Sequence, residues 1–270
     1  QYHYTSPNSI SPPEIVKETN INYYAQLKYS LKSKQMLKQK SIEIKYIYGQ
    51  NNQNELLVSS LQVEANHRLN YNKNRDAIKI RFFGGYNFAN INSRYNLLMK
   101  GQDGYYDYLF ERTYLSRNSY YPSTFGNQTS ITQGGFKTNT ILGSSEDWLL
   151  ASNIRMDIPK LPIGLFLDLG AYPSSFVNAN TSEIVESTNF LYSGGLNYEI
   201  EVNNKLVLGI YLPLFYSDEI AISYVTDDPN SPYPNPNPIR IKELNLLQRI
   251  TFVFNINNIN PFTLKKNIKP

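Results

Sequence analysis

The chain has 270 residues, no cysteine and a net charge of only +4 with its basic residues scattered, which excludes a disulfide framework and thiolate chemistry and gives no basis for a nucleic-acid partner. Tyrosine (23) and phenylalanine (13) are abundant and asparagine is heavily used; aromatic excess at modest hydropathy suits a sheet that meets lipid on one face and water on the other. No apolar run approaches the ~20 residues that a membrane helix needs, and the longest, Ile163 to Ala171, is interrupted by Asp168.

In chain order, residues 1–19 are polar and carry no signal peptide; they read as an external loop or a flexible N-terminal segment. Strands with side chains alternating at period two are then expected over 20–32, 40–48, 57–71, 76–88, 94–100, 105–115, 148–158, 163–171, 189–201, 205–216 and 246–257. In the third, Leu61, Val63, Ala65, His67 and Leu69 share a face opposite Gln62, Glu64, Asn66 and Arg68. The same two-faced pattern holds Ile78, Ile80, Phe82 and Phe88 against Lys79 and Arg81, and Ile250, Phe252 and Phe254 against Thr251. Alternation is poorest over 94–100 and 105–115. Short connections (72–75, 101–104, 159–162, 202–204) alternate with longer polar ones (49–56, 116–147, 172–188, 217–245). In the last of these, Pro229, Pro232, Pro234, Pro236 and Pro238 cannot pair in a sheet, which makes it an extended external loop. Residues 260–270 are expected to form a periplasmic tail.

Soluble sandwiches alternate too. Three features favour a membrane wall instead: strands of ten or more residues, tyrosines near strand ends, and short turns on one side with long loops on the other. The expected fold is therefore all-β, an antiparallel transmembrane β-barrel with strands over 20–259 in the outer membrane of a Gram-negative bacterium. Its partners would be outer-membrane lipid and lipopolysaccharide. Eleven strands is an odd count, whereas bacterial single-chain barrels have even ones. The expectation is that an N-terminal portion or a partner chain completes the barrel, or that a twelfth strand escapes the pattern. Leu61, Phe82, Leu196, Phe252 and Phe254 are expected to face lipid, so that arginine at Phe252 is costly while arginine at Thr251 is tolerated.

Catalytic chemistry finds no support. Two histidines, His3 and His67, and no HExxH, GxSxG or P-loop spacing argue for no catalytic residue, no metal site and no cofactor. Glu64, Lys79, Arg81, Arg155, Asp168, Glu199 and Glu201 share the polar parity. They read as a charge-balanced lumen, with an ion-selective path as the sharper alternative.

One stretch, Thr129 to Thr140, contains Gly134-Gly135-Phe136; it is followed by Leu167-Asp168-Leu169-Gly170, Gly194-Gly195-Leu196, Leu212-Pro213-Leu214-Phe215 and Arg249 to Ile256. In that order these segments resemble the BamA superfamily, the bacterial surface antigen type of sixteen-stranded outer-membrane barrel. The resemblance implies that this chain is the C-terminal part of such a barrel. It further implies that loop 116–147 folds inward and carries the family's Arg-Gly-aromatic turn. Gly135 and Phe136 match the glycine and the aromatic, but Gly134 stands at the arginine position. Asp168 matches the wall aspartate that pairs with that arginine, so Arg155 or Arg81, or backbone N–H groups, are expected to serve it instead. The missing arginine argues against an insertase. The tail Asn260 to Lys266 is similar to family barrels fused behind zinc aminopeptidase domains. The function implied is an anchor or plugged pore within a larger outer-membrane protein; an insertase or translocation pore and a small-solute porin are the alternatives.

Overall fold

The computed structural model of the chain describes residues 22–34, 38–71, 76–91, 95–100, 128–129, 131–138, 140, 142–177, 184–202, 205–217 and 249–254. It is all-β, with no helix among the described residues. Among the described residues nine strands form one antiparallel sheet: β1 (Asn22–Lys34), β2 (Lys38–Asn51), β3 (Leu56–Asn70), β4 (Ala77–Asn90), β7 (Trp148–Asp157), β8 (Gly164–Val177), β9 (Ile184–Val202), β10 (Lys205–Tyr216) and β11 (Thr251–Phe254). Each pairs with the next in that order. β5 (Leu97–Leu98) and β6 (Ser144–Ser145) make a separate two-stranded ribbon in the connection between β4 and β7. No β1–β11 pairing occurs among the described residues, so the sheet has β1 and β11 as its edges and is not closed there.

The strand expected over 94–100 is thus corrected to the two-residue β5, outside the main sheet. Leu97, Leu98 and Met99 are consecutive apolar residues with no period of two, and Leu97 and Met99 are buried in an apolar cluster on the sheet's inner side. The strand expected over 105–115 and the turn 101–104 lie outside the described residues, as do 1–19, 218–245 and 260–270. β4 pairs directly with β7. The β2–β3 connection, 52–55, is only four residues long although it lies at the end opposite the other short turns, which corrects the expected division into short turns on one side and long loops on the other. The long polar connections expected at 49–56 and 172–188 are trimmed, because β2 runs to Asn51 and β3 starts at Leu56, while β8 runs to Val177 and β9 starts at Ile184.

Register explains the two faces. On the outer face Leu31, Ile42, Ala65, Phe82, Ser152, Leu169 and Tyr192 stand in one row across seven strands, each opposite the next. Leu27, Tyr46, Leu61, Tyr86 and Trp148 form a second row. The large apolar groups of these rows are mostly exposed: Leu27 is 74% accessible, Phe82 55% and Tyr86 49%. The inner face carries the row Ser41, Asn66, Arg81, Asn153, Asp168 and Ser193, in which Arg81 is 2% accessible and Asp168 0%. Charge is inside and hydrocarbon is outside, the reverse of a soluble domain.

The sheet also curls. Arg68 on β3 and Glu201 on β9 are four strand spacings apart, and on a flat sheet their side chains would stand roughly 19 Å from one another. Arg68 Nη1 instead lies 2.7 Å from Glu201 Oε2. Lys79 on β4 reaches Glu199 at 3.1 Å and Glu201 at 2.7 Å on the same strand β9. Inner side chains of distant strands therefore converge across a concave face.

Two residues of β11 need separate treatment. Thr251 faces inward as its parity requires, but it is fully buried against the connection from β4 to β7. Arginine there would overpack that contact, which corrects the expectation of tolerance. Phe252 lies opposite Ile210, on the outer face.

The curl predicts unequal ion pairs. Lys79→Met removes one of the two cations of Glu199 and of Glu201 and the cation near Asp157, and should cost ~3 kcal/mol because those carboxylates are largely desolvated. Lys28→Met breaks only the half-exposed pair with Glu43 and should cost less than ~1 kcal/mol. Urea midpoints of the detergent-folded protein compare the two; equal losses would mean that the inner network is solvated.

Candidate functional site

The site is where the β4–β7 connection crosses the inner face. Its centre is a tight turn at Gln133 to Phe136. Gln133 and Gly135 both have left-handed backbone conformations, φ 47° and 62°. A Cβ at Gly135 would also stand 2.9 Å from Arg81 Nη1, so only glycine lets this turn approach the wall. The turn is fixed by main-chain bonds: Gly134 N donates to Leu98 O (3.1 Å) and Phe136 N to Met99 O (3.0 Å). Phe136 is fully buried among Phe83, Leu97, Met99, Leu149, Ala151, Tyr172 and Leu191. Gly170 lies beneath it, and a Cβ there would come 3.1 Å from the Phe136 ring and closer still to Met99.

Below this apolar layer sits a polar one. Strand register sets Arg81, Asn153 and Asp168 side by side on β4, β7 and β8. Asp168 receives three donors: Lys137 Nζ at 3.0 Å and Asn153 Nδ2 at 2.9 Å on Oδ1, and the Lys137 backbone N at 2.7 Å on Oδ2. Lys137 Nζ also donates to Gly135 O, and Asn153 Nδ2 to Gly134 O at 3.0 Å. Arg81 Nη1 donates to Gln133 O (2.7 Å) and to Asn153 Oδ1 (2.8 Å), while its Nη2 pairs with Glu64 at 2.6 Å. Lys137 and Asp168 are both wholly inaccessible. Two charges without water hold together only because each is hydrogen-bonded on several sides.

The structure thus brings Gly134, Gly135 and Phe136 together with Asp168 and Arg81, but it reassigns the cation. Arg81 serves Glu64 and the turn carbonyl, and Arg155 pairs with Glu199 at 2.6 Å. The partner of Asp168 is Lys137, which directly follows the turn. Sequence reasoning looked for the cation on strands, where parity is readable, and passed over the loop. Asn153 was also missed, though it stands opposite Asp168 once the β7–β8 register is known.

The connection is also tied to the last strand. Thr129 N donates to Phe252 O at 2.8 Å, Gln128 bridges Phe252 in parallel, and Thr251 Oγ1 donates to Lys137 O. Nearer the short turns, Tyr211 donates to Glu199 at 2.8 Å beside Arg155 and Lys79. All these carboxylates are engaged by cations, and no cluster of three or more metal-ligating side chains occurs among the described residues. What the arrangement does chemically is hold a loop against a wall. Comparison with protein-family models, with curated proteins and with solved structures gives no match to this chain.

Lys137→Met should destabilise the fold by ~3–5 kcal/mol, since it leaves a buried carboxylate without its cation. Asp168→Asn should cost a similar amount by stranding Lys137. The double variant should fall short of the sum by ~1–3 kcal/mol. Additive losses in urea unfolding would refute direct coupling between the pair.

Proposed function

We propose that this chain is the membrane-embedded wall of an outer-membrane β-barrel protein of the BamA type, acting as an anchor or plugged pore within a larger protein. The observation that carries the reading is the inverted polarity of the sheet. Rows of exposed Leu, Ile, Phe and Tyr cover the outer face while Arg81, Asn153 and Asp168 are buried on the inner one. Apolar area on this scale outside a soluble monomer is costly, and lipid is the solvent that makes it favourable. In lipid every backbone edge needs a partner. The edge of β1 would therefore be completed by an N-terminal portion of the protein or by a partner chain.

The family reading draws support from position. The Gly135-Phe136 turn lies on the inner face against the strand that carries Asp168, where the resemblance expects an inward loop to dock. The loop fills that region with packed apolar side chains, which favours an anchor or plugged pore over a small-solute porin. One observation favours the insertase alternative: Lys137 gives the loop back a cation, three residues beyond the position of the family's arginine.

Two measurements test the reading. Arginine at Phe82, on the outer face, should cost ~2–4 kcal/mol and abolish heat-resistant folding in bilayers; arginine at Gln26, exposed on the opposite parity of β1, should be tolerated. Equal tolerance in lipid would remove the membrane wall. In proteoliposomes the wild-type protein should not speed swelling in arabinose and should not accelerate folding of an added unfolded barrel. Steady swelling would point to a porin, and accelerated folding to an insertase.

A further inference from the structure

On the inner face, next to the short turns, Arg68, Lys79 and Arg155 occupy a single register row on three adjacent strands, β3, β4 and β7. Like charges directly opposite one another destabilise a sheet unless anions stand between them. Glu201 answers Arg68 and Lys79, and Glu199 answers Lys79 and Arg155. Two more cations join the row: Arg81 from the next register position, paired with Glu64, and Lys32 from β1, which has no ion-pair partner among the described residues. Asp157 lies 3.7 Å from Lys79. Five cations thus meet four carboxylates, Glu64, Asp157, Glu199 and Glu201.

The excess is not spread evenly. These five cations, with Lys40, line one cavity of about 280 Å³, and among the described residues Glu201 is the only carboxylate in its lining. Arg81, 2% accessible, also has a buried Nε–H with no hydrogen-bond acceptor. A buried donor without an acceptor is costly. Arginine forks and lysine ammonium groups converging on a small polar cavity match a compact oxyanion with several acceptor oxygens.

We propose that this cavity binds a phosphate group, as a free phosphate or as the headgroup of a phospholipid, with Lys32, Arg68, Lys79, Arg81 and Arg155 as its donors. The site depends on the inner face alone, so its failure and the failure of the membrane reading are separable.

Lys32→Gln is the diagnostic variant, because that side chain is exposed and its loss leaves no buried carboxylate unpaired. Lys28→Gln is the control, with the same charge change on the same strand but outside the cavity. Calorimetric titration of the detergent-folded protein at constant ionic strength should show saturable binding of inorganic phosphate and none of chloride. Lys32→Gln should weaken it by about three- to tenfold, Lys28→Gln by less than twofold, and added salt should weaken it in every case. A parallel titration uses dioctanoyl phosphatidate. Binding of phosphate itself assigns a free solute, and binding of the lipid alone assigns a headgroup. Absence of both, or equal effects of the two lysine substitutions, overturns the site.

Discussion

A carboxylate deprived of water must receive its counter-charge and hydrogen bonds from the protein, and Asp168 is such a carboxylate. Its three donors come from two places. Asn153 is supplied by the neighbouring strand through register, whereas Lys137 contributes both its ammonium group and its backbone N–H from the loop. The wall alone leaves Asp168 without a cation, and the loop alone leaves Lys137 without an anion. Wall and loop are therefore one cooperative unit, and the Gly135 conformation is what lets the loop come near enough to the wall for the pair to form.

The inner face is layered along the strands because each strand changes character along its length while keeping its alternation. On β4 the inward residues run Lys79, Arg81, Phe83, from ionic to apolar. On β9 they run the other way along the chain, Leu191, Ser193, then Glu199 and Glu201. Antiparallel pairing aligns the ionic ends with one another and the apolar ends with one another. The apolar layer then accepts Phe136, and the ionic layer closes across the curl through Arg68–Glu201 and Lys79–Glu199.

Most of the strands were legible in the sequence, for a simple reason. A strand with one apolar and one polar face alternates at every residue, so β1 to β4 and β7 to β10 each carry the signal many times over. Leu97 to Met99 carry no alternation because they pack into the inner cluster rather than divide two environments, and there the expected strand shrank to two residues. The site was legible in part. The Gly-Gly-aromatic turn and the inward parity of Asp168 are local features. The identity of the cation is not, since which loop residue meets a wall carboxylate depends on two left-handed backbone positions that spacing does not reveal. Thr251 illustrates the same limit: parity gave its direction, while the loop packed on it decided its tolerance to size.

The bonds between the loop and β11 join two questions that look separate. Among the described residues β11 has four in the sheet and pairs with β10 on one side. Its other edge is bonded at Phe252 by Thr129 N, in parallel with Gln128. Each added bond to such a strand counts toward its stability. The loop that carries Lys137 to Asp168 on β8 therefore also secures the last strand, and Thr251 reinforces that link through the Lys137 carbonyl. A change that loosens the Lys137–Asp168 pair is thereby transmitted to β11, three strands away in the sheet order, by a route that does not pass through the intervening ladders. In this architecture the loop is part of the wall's own hydrogen-bonded framework, which sets it apart from a plug held only by fit.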